Sequence, residues 1–125
     1  MQRKGARMKR DMDLFRALLL KVEEQPLGGQ QTSIEIPGHS KDELIYHAQL
    51  AQDAGFIEAT FLLSDDFIVH RLTFAGHEFL DAAREDKLWN KAKHTVLSGT
   101  GTLTVEALKI ALSMLMQQAV RGMIA

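Results

Sequence analysis

Histidine is the residue type in this 125-residue chain with the widest chemical range, because it can ligate a metal or transfer a proton. His77 begins a stretch that starts like the H-E-x-x-H motif of zinc proteases, but Asp81 stands where the second histidine is required. His39 and His47 are eight residues apart, and His70 and His77 are seven apart, which is not the close spacing of a zinc motif. The sequence therefore predicts no metal site.

Nucleophilic catalysis has no better support in the sequence. The chain has no cysteine, and no serine lies in a G-x-S-x-G elbow. The GTGT stretch at 99–102 lacks the lysine and the spacing of a phosphate-binding loop. The acid pairs Asp65-Asp66 and Glu85-Asp86 are typical of solvated turns and helix surfaces. We expect no catalytic residue, no cofactor and no enzymatic activity.

The composition is that of an ordinary globular domain, with 46% hydrophobic and 25% charged residues. A chain of this length is typical of one domain with its own core. The absence of cysteine excludes disulfides. No run of about 20 apolar residues exists, and no small-residue cleavage site follows the basic N-terminus. We therefore expect a cytoplasmic protein that does not bind membranes.

Hydrophobic periodicity and turn signals predict helices and strands in a mixed order. The predicted elements are a helix over 8–24, a strand over 32–38, a helix over 41–54, strands over 56–63 and 67–74, a helix over 75–93 and a helix over 103–122. The S-x-x-E capping box at Ser40 marks the start of the second helix. The polar turn SDD between the two strands predicts a hairpin, and SGTGT at 98–102 predicts a flexible joint.

Three separated motifs occur in order along the chain: MKRDMDL at 8–14, LIYHAQLAQDAGFIEA at 44–59 and RLTFAGHEFLDAAREDKLWNK at 71–91. Together they resemble a family of small bacterial and prophage-associated proteins of unknown function with a winged-helix-like fold. The resemblance covers residues 8–95. It implies an α+β, winged-helix-like fold of helix, short strand, helix, β-hairpin wing and helix, to which the helix predicted over 103–122 is an additional C-terminal helix.

The resemblance also implies a division of the chain. Met8 is then the natural start, and residues 1–7 are a flexible extension or a cloning remnant. Without the three cations of that extension, the net charge falls from −1 to −4. Residues 8–95 are the winged-helix-like domain. Residues 96–125 lie outside the resemblance and contain the C-terminal helix, which we expect from its apolar pattern to serve packing or dimerisation.

In a winged-helix protein the helix 41–54 is the recognition helix and the hairpin is the wing. The residues expected to contact DNA are Lys9, Arg10, Lys41, Tyr46, His47, Gln49 and Arg71. Glutamine can bond adenine through two hydrogen bonds, and lysine can reach guanine or phosphate. The charge opposes this function, because duplex affinity depends on cations that meet phosphates. Over residues 41–70 the one base is Lys41, and the six acids are Asp42, Glu43, Asp53, Glu58, Asp65 and Asp66, a net charge of −5.

Two functions remain open on these grounds. The first is a small non-enzymatic regulator of phage or prophage origin that binds double-stranded DNA. The alternative is a protein-interaction module that uses the acidic helix and hairpin face, since a fold does not determine a function. The arrangement of charges distinguishes them: clustered cations favour DNA, and a ring of acids favours a basic protein partner.

The last predicted helix is apolar over most of its circumference, so it must be buried or paired. We expect it either to pack on the first helix of the same chain or to form a homodimer. The predicted dimer interface consists of Val105, Leu108, Leu112, Leu115 and Ala119. Binding to a membrane surface is not favoured, because the polar face has few cations.

Overall fold

The computed structural model describes residues 8–26 and 34–124, so the predicted extension over residues 1–7 lies outside the described part. The described residues form an α+β architecture of five helices and one two-stranded antiparallel sheet. The elements are α1 (Met12–Glu24), α2 (Lys41–Asp53), β1 (Ile57–Leu62), β2 (Asp66–Leu72), α3 (Phe74–Ala83), α4 (Asp86–Thr100) and α5 (Val105–Ile124). The chain forms two compact units, and the boundary between them lies between Gly76 and His77.

Helix α1 begins at a side-chain cap. One carboxylate oxygen of Asp11 accepts hydrogen bonds from the backbone N–H groups of Asp13 and Leu14, at 3.0 and 3.2 Å. These bonds satisfy donors that have no partner within the helix. The buried side chains of α1 are Met12, Leu14, Phe15, Leu18, Leu19 and Val22. The helix predicted over 8–24 is confirmed, with its start shifted to Met12 by the cap.

The capping box predicted at Ser40 is present at the start of α2. The Ser40 hydroxyl accepts a hydrogen bond from the Glu43 N–H at 3.1 Å, and the Glu43 carboxylate accepts one from the Ser40 N–H at 2.9 Å. The helix ends at Asp53, and Gly55 follows with a φ of 81°, a left-handed conformation that suits glycine. The helix predicted over 41–54 is therefore confirmed.

The predicted hairpin is also confirmed. Its strands pair antiparallel from Ile57 opposite Leu72 to Leu62 opposite Asp66, with an irregularity just after Glu58. The buried side chains of the hairpin are Ile57, Phe67, Val69 and Leu72. Helix α1 packs against α2 and β2, and α2 packs against both strands. The hairpin thus covers one side of a small core that α1 and α2 complete.

A compact set of hydrogen bonds fastens the base of the hairpin to the start of α3. The Thr73 N–H donates to the Phe56 carbonyl at 2.9 Å. The Thr73 hydroxyl donates to the Gly55 carbonyl and accepts from the Gly76 N–H. Gly76 lies so near that a Cβ placed on it would be 2.1 Å from the Phe56 carbonyl oxygen. Only glycine fits this approach without a shift of the backbone.

The strand predicted over 32–38 is wrong in its described part, residues 34–38, which hold no strand. The backbone turns at Gly38, whose φ is 88°, and the sheet formed by the described residues consists of β1 and β2. Ile34 is buried while Ile36 is half-buried, so their alternation reflects coil packed on the core rather than a paired strand. Residues 32 and 33 lie outside the described part. The winged-helix assignment stays a prediction.

Helices α3 and α4 occupy the region where the sequence predicted one helix over 75–93. That prediction is wrong at Glu85, whose extended φ and ψ of −79° and 126° separate the two helices. Helix α4 then runs to Thr100, through most of the joint predicted over 98–102. Gly101, with a φ of 78°, ends the helix in the left-handed conformation.

The second unit has its own buried side chains. The rings of Phe79 and Trp89 meet edge to face with centroids 6.2 Å apart. Helices α4 and α5 pack together, and α5 confirms the helix predicted over 103–122. Helix α4 runs without interruption through residues 95 and 96, where the sequence predicted a domain boundary. No helix within the described ranges is long and apolar enough to cross a membrane.

Candidate interaction surface on helix α2 and the hairpin

The exposed sides of α2 and of the hairpin carry most of the side chains predicted to contact DNA, and we call them the α2–hairpin surface. Lys41, the first residue of α2, lies 3.0 Å from a carboxylate oxygen of Asp66 on β2. The same oxygen accepts the backbone N–H of Phe67 at 2.8 Å. The Lys41 ammonium and this N–H lower the pKa of Asp66. The charge of Lys41 is thus neutralised within the surface.

The second cation of the surface, Arg71 on β2, is held in the same way. Its guanidinium donates two hydrogen bonds to the carboxylate of Glu58 on β1, at 3.0 and 2.8 Å. A third bond reaches the Leu72 carbonyl at 3.2 Å. This two-pronged contact lowers the pKa of Glu58 and raises that of Arg71. Both side chains are about half exposed, so the pair is an exposed cross-strand contact.

His47, predicted as a DNA contact, is instead a buried structural residue with 2% exposure, and that prediction is wrong. Its Nε2 accepts a hydrogen bond from the Asp11 N–H at 2.8 Å. Because a backbone N–H can only donate, Nε2 carries no proton, and Nδ1 donates to the Glu43 carbonyl at 2.9 Å. The imidazole therefore joins the start of α1 to the first turns of α2.

The remaining residues of the DNA prediction differ in their accessibility. Tyr46 is half-buried, and its ring meets the imidazole of His47 edge to face at 5.7 Å. Gln49 is exposed on α2, and Lys9 and Arg10 are exposed before α1. The structure therefore brings Lys41, Tyr46 and Gln49 together on one helix, but it pairs the two cations of the surface with acids.

A glutamine that the sequence analysis did not single out ties α2 to the hairpin. The side-chain oxygen of Gln52 accepts the Ala59 N–H at 2.7 Å. Ala59 lies on β1 at the irregularity in the strand pairing. The side chain of Gln52 thus satisfies a backbone donor of β1 and joins it to α2. No local sequence signal marks this contact, since it arises from the packing of α2 on the hairpin.

The tip of the hairpin combines apolar and acidic side chains. Leu63 is fully exposed, and Leu62 beside it is exposed as well. Asp65 follows with a φ of 59°, a conformation that aspartate tolerates better than most residues. Behind the tip, the rings of Phe61 and Phe67 stack with centroids 6.0 Å apart. The sequence does indicate an exposed leucine here, because the two adjacent leucines before the SDD turn break the alternation of buried and exposed side chains expected of a strand.

Among the described residues, no three histidine or acidic side chains come together in a group that could hold a metal ion. His70 on β2 contacts the Thr60 hydroxyl at 2.8 Å across the hairpin. That contact is a cross-strand polar pair on the exposed side of the sheet.

Two of the five residues predicted for a dimer interface are buried within the chain itself. Leu108 and Leu112 have 0% and 1% exposure. Their prediction as intersubunit contacts is wrong, because side chains already enclosed by their own fold offer no surface to a second copy. Val105 and Leu115 are half-buried, and Ala119 is exposed.

Comparison with known proteins identifies relatives without an assigned activity. Residues 9–102 match the family model described as "Hypothetical protein (DUF2513)". An "Uncharacterized protein" of Haemophilus influenzae is 39% identical over 106 residues, which covers 82% of this chain and 90% of the relative. No solved structure matches the chain. The matched region contains α1 to α4, the hairpin included, and the chain therefore belongs to the DUF2513 family.

Proposed function

We propose that this protein is a non-enzymatic interaction module that binds a protein partner through its α2–hairpin surface. The observation that carries the proposal is the pairing of both cations of that surface with its own acids, Lys41 with Asp66 and Arg71 with Glu58. The surface is left with an acidic balance and an exposed apolar tip. A partner that fits it has an apolar pocket for the tip and basic groups around that pocket.

The same pairing weighs against DNA as the ligand. A phosphate must compete with a carboxylate for Lys41 and for Arg71, and it must approach through the field of the remaining acids. Over residues 41–71 two cations stand against six acids, a net charge of −4. Lys9 and Arg10 are exposed, but two cations neutralise too few phosphates for tight duplex binding. A DNA-binding regulator is therefore the less favoured function.

The hairpin tip supplies the apolar part of the proposed contact. The hairpin ends in exposed leucines, and adjacent exposed apolar side chains with polar residues around them can mark an interaction site. Leu63 is the most exposed large apolar residue among those described, and Leu62 lies beside it. Interfaces of this kind have an apolar centre and a polar rim. Asp65, which belongs to neither of the two ion pairs, supplies an acid for such a rim.

The proposal is tested with probes of defined charge. Two synthetic amphipathic helical peptides, one of leucine and lysine and one of leucine and glutamate, are titrated into the full-length protein, alongside a labelled random duplex at two salt concentrations. We expect the basic peptide to bind and the acidic peptide not to bind. We also expect no binding of the duplex up to tens of micromolar protein, a concentration that lies within the range of Kd values typical of non-specific DNA binding, about 10⁻⁴–10⁻⁶ M.

A matched pair of variants locates the binding surface. Leu63→Ser removes the apolar tip and is expected to weaken peptide binding at least tenfold, whereas Leu97→Ser, at an exposed leucine on α4, is expected to leave it unchanged. Duplex binding that weakens steeply with salt would overturn the proposal in favour of DNA. Equal affinity for the two peptides, or no effect of Leu63→Ser, would also count against it.

A further inference from the structure

The C-terminal part of α5 has no cover among the described residues. The buried residues of α5 all lie in its first eight positions, and none of residues 113–124 is buried. These twelve residues extend for about 18 Å at the rise of an α-helix. Their apolar members are Met114, Leu115, Met116, Ala119, Val120, Met123 and Ile124. These residues continue a helix that is already packed in its first part, and a second packing partner would take their exposed apolar side chains out of water.

We propose that α5 pairs in antiparallel orientation with α5 of a second copy of this chain. The face involved lies opposite the buried residues of the helix. Side chains on this face recur at spacings of three and four residues, as one stripe of a helix requires. The stripe consists of Glu106, Ile110, Met114, Gln117, Arg121 and Ile124. It is a different face from the one predicted with Leu108 and Leu112, which the chain uses for its own core.

Charge complementarity determines the orientation. Glu106 lies in the first turn of α5 and Arg121 in the last. In an antiparallel pair each Glu106 lies beside Arg121 of the second copy, so two opposite-charge contacts form at the two ends. In a parallel pair the contacts would join like charges. The helix dipoles add to the preference, because each positive N-terminus then lies beside a negative C-terminus.

The middle of the stripe fits the same arrangement. Met114 lies near the midpoint of α5, so a two-fold axis through this point places it against its own copy. Ile110 and Met114 are both more than half exposed in the single chain, so they are available for such a contact. Methionine suits it, because its flexible side chain fills irregular gaps between helices.

The composition favours a second copy over a lipid surface as the occupant. Helices that lie on membranes carry several lysines or arginines on their polar face. Residues 113–124 contain one charged residue, Arg121. A second copy of this helix, reversed in direction, supplies an apolar surface and places at each end of the face the charge opposite to the one there.

Sedimentation equilibrium of the full chain across the micromolar range tests the pairing. We expect a monomer–dimer equilibrium for the natural sequence. Ile110→Glu with Met114→Glu is expected to give a monomer whose circular dichroism still shows the folded helices, since both positions are exposed. Leu63→Ser is the matched control, because it removes an exposed apolar side chain far along the chain from α5, and it is expected to leave the dimer unchanged.

Charge reversal tests the orientation. Glu106→Arg and Arg121→Glu each place like charges at both ends of an antiparallel pair, and each is expected to weaken association about tenfold. An equimolar mixture of the two variants forms two opposite-charge contacts again and is expected to recover the affinity. Lys109 lies 3.9 Å from Glu106 in the natural sequence, and Glu106→Arg removes this contact. Because the Glu106→Arg copy lacks the contact both alone and in the mixture, a gain in affinity on mixing reports the contacts between copies.

Three results would overturn the proposal. A monomer at every concentration would remove the second copy as the occupant. A mixture no tighter than either variant alone would contradict the antiparallel orientation. Binding of the monomer to vesicles of phosphatidylcholine and phosphatidylglycerol, lost in Ile110→Glu with Met114→Glu, would assign the face to a lipid surface instead.

Discussion

The imidazole of His47 on α2 accepts a hydrogen bond from the backbone N–H of Asp11, at a distance of 2.8 Å and a separation of 36 residues. The opposite ring nitrogen donates to the Glu43 carbonyl. Asp11 is also the cap of α1, so one residue both starts that helix and receives the cross-link from α2. The buried imidazole thus joins α1 to α2, the helix that carries part of the α2–hairpin surface.

Replacement of His47 by alanine is expected to destabilise the fold by about 1–3 kcal/mol, because it leaves the Asp11 N–H without its partner and opens a cavity. Urea unfolding followed by circular dichroism measures the change. Gln49→Ala, at an exposed position on the same helix, is the control and is expected to stay within about 0.5 kcal/mol of the natural sequence. Equal stability of the two variants would show that the bridge contributes nothing.

Gly76 supports a prediction with an internal control of the same residue type. Gly76→Ala is expected to destabilise the fold by about 1–3 kcal/mol or more, because the new Cβ would overlap the Phe56 carbonyl and the backbone at one of the two residues would have to move. Gly99→Ala, within α4, adds a Cβ that has no atom within 4 Å apart from its chain neighbours and the backbone of its own helix, and it is expected to stabilise the fold by about 0.5–1 kcal/mol. Shifts of the same sign in thermal unfolding would refute the close approach at Gly76.

Local signals in the sequence were enough for the starts and ends of several elements. The capping box at Ser40 fixes the start of α2 through bonds within four residues, so it is visible in the sequence. The strand expected over 32–38 is absent from its described residues, 34–38, because alternation shows which side chains are buried but not whether a neighbouring strand exists to pair with. The break between α3 and α4 at Glu85 contains no glycine or proline, so the sequence carried no local signal for it.

The ion pairs of the α2–hairpin surface show why the site could be predicted only in part. Counting outward from the turn places Glu58 opposite His70, but the irregularity after Glu58 moves the register by one and brings Arg71 opposite instead. Lys41 meets Asp66 across 25 residues, through packing of α2 on the hairpin. The charges were therefore known from the sequence, but their cancellation depends on tertiary contacts.

The ion pairs predict how stability depends on pH. The folded pKa values of Glu58 and Asp66 are lowered below their ordinary values of 4.5 and 3.8. Carboxyl groups of this kind contribute stability above the unfolded pKa and lose it as pH falls through the folded pKa. Stability is therefore expected to fall as pH drops below about 4.5, with a smaller fall in the variant Glu58→Gln with Asp66→Asn.

Urea midpoints measured in steps from neutral pH downward check this difference. Added salt is expected to reduce the contribution of both pairs, because their side chains are exposed. The Asp65→Asn variant serves as the control, since it removes an acid at the turn, and it is expected to keep the pH dependence of the natural sequence. A pH profile that Glu58→Gln with Asp66→Asn leaves unaltered would contradict the role assigned to the pairs.

The start of α4 offers a stabilising substitution. Glu85 has the extended backbone of an N-cap residue, but its side chain makes no capping hydrogen bond. Glu85→Ser places a hydroxyl where it can accept a backbone N–H of the first turn, and it is expected to stabilise the fold by about 0.5–1 kcal/mol. Lys87→Ser, one position inside the helix, is the control, because serine has no capping role there and lowers helix propensity. Thermal unfolding of the two variants is expected to shift in opposite directions, and a loss of stability in Glu85→Ser would mean that the glutamate holds the break between α3 and α4 by another contact.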